Sequence, residues 1–133
     1  MSTRTFAMIF GIVFLLVGIA GFVPQLVQPP EGGDMGMPGH VMLLGMFAVN
    51  TLHNVIHIIF GLWGLAASRS AGGALAYARG VAIIYALLTV LGLIPATQTT
   101  FGLVPIYGKD VWLHGALALV AAYFGWVNRS PAA

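Results

Sequence analysis

His53 and His57 stand four residues apart in "NTLHNVIH" at 50–57, and Asp110 and His114 stand four apart in "DVWLH" at 110–114. On a helix, that spacing puts each pair on one face, one turn above the other. Three imidazoles and a carboxylate form a donor set for a divalent transition ion such as zinc, iron, manganese or copper. The same residues admit other chemistry. His57 and His114 could be axial ligands of a haem or chlorin held between helices. They could relay protons or line a small transporter. They could also hydrogen-bond one another, Asn54 and loop carbonyls as a structural clasp.

A second, looser set lies in "DMGMPGHVM" at 34–42, where Met35, Met37, His40 and Met42 fall close together. Thioether and imidazole ligands favour copper, above all Cu(I). Its glycines and proline predict a loop, so it joins the histidines only if it folds over their face. Chemistry of other kinds has no footing. There is no GxSxG, P-loop, dinucleotide fingerprint or HExxH. No catalytic residue can be named, and the chain reads more readily as a binding protein or subunit than as an enzyme.

The surroundings of these residues are apolar. Of 133 residues, 59% are hydrophobic and only 6% charged, against about a quarter charged in a soluble domain. Lipid must therefore face most of the surface. Five Lys and Arg residues form no cluster, so nothing points to nucleic acid. The absence of cysteine excludes disulfides and thiolate sites.

Four apolar runs approach the ~20 residues that a bilayer needs: about 6–23, 50–67, 75–94 and 109–126. Arg4 ahead of the first run also fits a signal peptide, but the run is long for one. "VMLLGMF" at 41–47 is short and reads as an interfacial or re-entrant approach to the second span. Arg4, Arg69, Arg79 and Arg129 fall on one side of this arrangement, and Lys109 with all three acidic residues on the other. The positive-inside rule then places both termini in the cytoplasm, with the loops at about 24–49 and 95–108 outside.

The halves resemble each other. "GFVP" at 21–24 matches "GLIP" at 92–95, each closing an outward span, and "HNVIH" at 53–57 aligns with "DVWLH". The expectation is an all-α, polytopic four-helix bundle. A single domain over 1–133, it would comprise two tandem hairpins related by a pseudo-twofold axis along the membrane normal. That register sets His57 and His114 at one depth, about 10 Å below the outer helix starts. Gly61 and Gly64 on the second helix, and Ala118, Ala122 and Gly125 on the fourth, are small enough for close approach and point the histidine faces inward. Partners beyond the lipid bilayer would be other membrane subunits or a second copy, docked on small-residue faces of the first or fourth helix.

"GMFAVNTLHNVIHIIFGLWGLAA" and "GLVPIYGKDVWLHGALALV" together resemble the bacterial membrane proteins catalogued as domain of unknown function 4383. The resemblance runs from "RTFAMIFGIVFLLVG" through the fourth helix. It carries onto Asn50, His53, Asn54, His57 and Gly61, then Asp110 and His114. Val111 departs from it, where the family pattern has asparagine. The resemblance implies a four-span protein of the bacterial inner membrane and supplies no reaction.

Overall fold

A computed structural model of the chain describes residues 1–30, 39–100 and 102–128. Four helices dominate: α1 Thr3–Ala20, α2 Thr51–Ala67, α3 Ala71–Leu93 and α4 Lys109–Ala122, the last running on as a π-helical turn, Tyr123–Val127. Side-chain caps set three of the starts. Ser2 accepts from the Thr5 amide at 3.1 Å, Asn50 from His53 at 2.8 Å, and Ser70 from Gly73 at 2.9 Å. These caps let α1 and α3 begin earlier than hydropathy alone suggests. After α1 and α3, Pro24 and Pro95 each open a short 3-10 turn.

By length and composition, α1, α3 and α4 with its π-turn can each cross a membrane; α2, at 17 residues, is shorter and equally apolar. Their outward faces carry Leu16, Ile59, Leu62, Ile83, Leu87 and Leu119, all exposed. A stripe of bare aliphatic side chains around the whole bundle suits lipid rather than water.

The segment before α2, expected as an interfacial or re-entrant approach to that helix, takes up strand structure. Val41–Leu43 (β2) and Phe47–Val49 (β3) form an antiparallel hairpin, and Val27–Gln28 (β1) pairs along β2. The hairpin turns through positive φ at Leu44 (55°) and Gly45 (71°), which glycine adopts freely and leucine at a cost. The class remains mainly α, with this small sheet at the end of the bundle where α2 and α4 begin.

Helix α1 packs chiefly on α2, and α3 chiefly on α4, each pair antiparallel. The first contact is close enough to need glycine on both sides. A Cβ on Gly11 would lie 2.8 Å from the Gly61 carbonyl oxygen and the Leu65 nitrogen, and one on Gly18 2.8 Å from the Asn54 carbonyl oxygen. The small-residue face of α1 is therefore turned inward onto α2, not outward to a partner as its sequence suggested. Between the pairs runs an aromatic column. Phe6 stacks on Phe124 (4.7 Å), Phe10 links Phe6 to Phe14, and Phe14 stacks on Tyr85 (5.6 Å).

Arginines gather at the end opposite the sheet. Arg4 Nε donates to the Ser68 carbonyl that ends α2, and Arg79 Nε to the Gly125 carbonyl in the π-turn, both at 2.8 Å. Each guanidinium thus satisfies a helix-terminal acceptor. Arg79 also lies over the Trp126 ring, 5.5 Å from its centroid. Arg129, Glu31 and Asp34, which entered the reading of the loops, lie outside the described residues.

Candidate metal centre

Helix α2 buries one stripe, His53, Asn54, His57, Gly61 and Gly64, and α4 buries Asp110, Val111, His114, Ala118 and Ala121. The glycines and alanines let the backbones close up, which carries the histidines in the same stripes to the bundle interior. The structure thus brings His53, His57 and His114 together. One ring nitrogen from each lies within 4.8 Å of the others. The ring centroids of His53 and His57 are 4.4 Å apart, and those of His53 and His114 are 6.0 Å apart.

All three rings are nearly inaccessible, and the Nδ1 atom of each is buried without a hydrogen-bond partner. A buried polar atom left unpaired costs roughly 1–3 kcal/mol, so three in one place call for an explanation. Asp110 adds a fourth group. It is 2% exposed, its Oδ2 is also unpaired, and it lines the same cavity, but it is not one of the three that converge. It stands in the first turn of α4, where a carboxylate is favoured by the helix dipole.

Surrounding elements hold these rings. Asn50 caps α2 through its Oδ1 and donates from Nδ2 to the Leu103 carbonyl at 2.7 Å, joining the start of α2 to the loop before α4. The Ala48 backbone in β3 hydrogen-bonds the His53 ring, so the unexpected hairpin reaches the site directly. On the opposite side, Phe14 stacks on His57 at 5.7 Å and Tyr85 meets His114 edge-on at 5.1 Å. Neither aromatic was singled out from the sequence. The register that aligns "GFVP" with "GLIP" also aligns Phe14 with Tyr85, and that was the available signal.

That register and the one aligning "HNVIH" with "DVWLH" meet in the contacts between the helices. A Cβ on Gly21 would run into the Asn54 side chain, and a Cβ on Gly92 would meet Val111 Cγ2 at 2.8 Å. Asn54 and Val111 are aligned positions of the two motifs "HNVIH" and "DVWLH". Val111 is buried, so α4 offers an apolar surface where α2 offers an amide.

Of the second set, the described members His40 and Met42 do not line the cavity of the first. Met35 and Met37 lie outside the described residues. His40 is buried and its Nε2 is 3.1 Å from the Tyr107 hydroxyl, away from the cavity that the histidines line. Burial first, and the charge of Asp110 second, push the Tyr107 phenol above its ordinary value, so it keeps its proton for that bond. Met42 lies in β2, paired with Gln28 and Ala48.

A cavity of about 230 Å³ opens beside the trio. Its walls are aliphatic and aromatic side chains of α1, α4 and the hairpin, and its polar groups are the three histidines and Asp110. The ring nitrogens themselves stay buried within the cluster, beside the cavity. No curated protein and no solved structure matches the chain. The family catalogued as Domain of unknown function (DUF4383) matches residues 4–127, nearly the whole length and every element described above, and the chain belongs to that family.

Proposed function

We propose that this chain is a four-span protein of the bacterial cytoplasmic membrane that binds one transition-metal ion through His53, His57 and His114. The observation that carries the proposal is the convergence of three buried imidazoles whose Nδ1 atoms have no partner. Nitrogens bound at about 2.0–2.1 Å from one ion sit within ~4 Å of each other. From 4.8 Å, small rotations of the rings suffice. Imidazole donors suit zinc, iron or copper, and a carboxylate alongside extends the range to manganese. Asp110 then acts as a neighbour that balances charge and orients the ligands.

Four spans follow if α2, with the hairpin ahead of it, completes the crossing that its 17 residues nearly make. The gathering of Arg4, Arg69 and Arg79 at the end away from the trio supports a cytoplasmic position for that end and for both termini. The metal then lies in the outer half of the bilayer. Matching contacts in the two hairpins, Gly21 on Asn54 with Gly92 on Val111, and Phe14 on His57 with Tyr85 on His114, support a duplicated origin with a pseudo-twofold axis between Phe14 and Tyr85.

A haem or chlorin between His57 and His114 has less support, because Phe14 and Tyr85 pack on those rings and on each other where a macrocycle would have to enter. A proton or solute path has less support too, since the aromatic column fills the bundle between the trio and the arginine end. No reaction is assigned, and the protein is read as a metal-binding membrane component, accessory to a larger system. Elemental analysis of detergent-purified protein tests this. The wild type should carry close to one ion per chain, and His57→Gln and His114→Gln should carry none.

A further inference from the structure

Among the residues that line the cavity, the trio and Asp110 supply every nitrogen or oxygen side-chain donor; the others are Ile, Val, Leu and Phe. Asp110 stands outside the converging group, so an ion at the trio meets three nitrogens. A water in a fourth position would need polar partners, and a cavity with hydrocarbon walls stays dry. Phe14 and Tyr85 enclose His57 and His114 further. The tautomer of His53 is set as well. Its Nδ1 has no partner, so the ring nitrogen that bonds the Ala48 backbone is Nε2, and Nδ1 keeps its lone pair for an ion.

Charge narrows the choice of ion. Carrying an ion out of water costs energy that rises with the square of its charge, so a divalent ion costs about four times a monovalent one. Neutral imidazoles leave that charge in place. Asp110 is the only carboxylate side chain among the described residues, and it lies buried, one turn ahead of His114 on α4. When ionised it cancels the charge of a monovalent ion and only half that of a divalent one.

From the donor set and the charge we propose that the ion is monovalent copper, bound by His53, His57 and His114 alone, with Asp110 as its counter-charge. This rests on the metal-binding role proposed above and names its occupant. Zinc is four-coordinate in almost all structural sites, and iron and manganese favour larger shells. Copper(I), a filled-shell monovalent ion, is satisfied by three donors. Zinc binds the same nitrogens more weakly, because its fourth position goes unfilled.

The test uses the full chain, chelator-stripped and in detergent. It is titrated without oxygen with Cu(I) kept reduced by ascorbate, in competition with bicinchoninate, and separately with zinc in competition with a zinc-binding dye. One Cu(I) should bind per chain, at least about a hundredfold tighter than zinc. X-ray absorption should show three nitrogen neighbours on copper and no fourth. Asp110→Asn should weaken Cu(I) about tenfold and zinc about a hundredfold, since the Coulomb attraction doubles with the ionic charge. Damage to the fold alone would weaken both equally.

Zinc bound as tightly as Cu(I), a fourth neighbour on copper, or equal losses in Asp110→Asn would overturn the choice of ion and leave the metal site standing. No saturable binding of either ion by the folded chain would overturn the site and this proposal with it.

Discussion

Phe14 and Tyr85 stack with ring centroids 5.6 Å apart and planes 28° from parallel, and each also packs on one histidine of the trio, Phe14 on His57 and Tyr85 on His114. One comes from each hairpin, and together they close the inner side of the site. This pair gives the histidines a rigid wall to lean on, which is what a metal site needs from its surroundings.

Replacing either wall member should loosen the site without removing a donor. Phe14→Ala removes a buried ring, and such truncations cost about 3–5 kcal/mol. Phe14→Leu keeps most of the volume and should cost less. Thermal melting in detergent should rank wild type above Phe14→Leu above Phe14→Ala. A melting temperature for Phe14→Ala equal to the wild type would remove Phe14 from the core.

Gly61 tests the close contact of α1 and α2. A Cβ there would lie 2.7 Å from the Leu15 nitrogen and 2.8 Å from the Gly11 carbonyl oxygen. Gly61→Ala should destabilise by about 1–3 kcal/mol, the range for overpacking. Gly72→Ala, with nothing within 4 Å of the added carbon, is the control and should not lower the melting temperature.

Asn50 does two jobs, and its loss should be felt in both. Asn50→Ala removes the cap of α2 and the bond to the Leu103 carbonyl. A cap is worth about 1 kcal/mol and the second bond a similar amount, so a loss of ~2 kcal/mol is expected. Hydrogen exchange should rise first at the start of α2 and in the loop before α4. Protection unchanged in that loop would show that the bond to Leu103 contributes nothing.

The orientation can be read chemically because the chain has no cysteine. Single cysteines at Gly72, in the first turn of α3, and at Met46, in the hairpin turn, are both exposed. In intact cells a membrane-impermeant thiol reagent should label Met46→Cys, and should reach Gly72→Cys only after permeabilisation. The reverse pattern would invert the topology.

Much of this architecture was legible in the sequence because each signal was local. Apolar runs ended at Gly-x-x-Pro, and the histidine pair at i and i+4 shared its helical face with Gly61 and Gly64. The burial of that face follows from the small residues, and it carries His53 and His57 inside. The convergence of His114 with them depends on how the two hairpins meet, which hydropathy does not encode; only the register between the halves hinted at it. The strands within "VMLLGMF" at 41–47, which reads as an interfacial or re-entrant approach to the second span, leave no mark in the sequence because three residues are too few to display alternation. The cavity beside the trio was not legible at all, since α1, α4 and the hairpin each supply part of its wall, and no single segment records their meeting.

Asp110 separates a four-donor site from a three-donor site. It lines the cavity but stands outside the converging group. Asp110→Asn should therefore retain the ion, with affinity lowered about 10–100-fold, as for groups that act through the ligands. Complete loss of metal from this variant would make Asp110 a ligand itself.

The most direct measurement is a calorimetric zinc titration of chelator-stripped protein in detergent, run on the wild type and on His53→Gln, His57→Gln and His114→Gln. The account predicts one site per chain in the wild type. Each substitution should weaken it at least about a hundredfold, some 2.7 kcal/mol, while the helical content stays unchanged. Zinc binding of equal strength in the wild type and in His114→Gln, or no saturable binding by a folded wild-type protein, would contradict it.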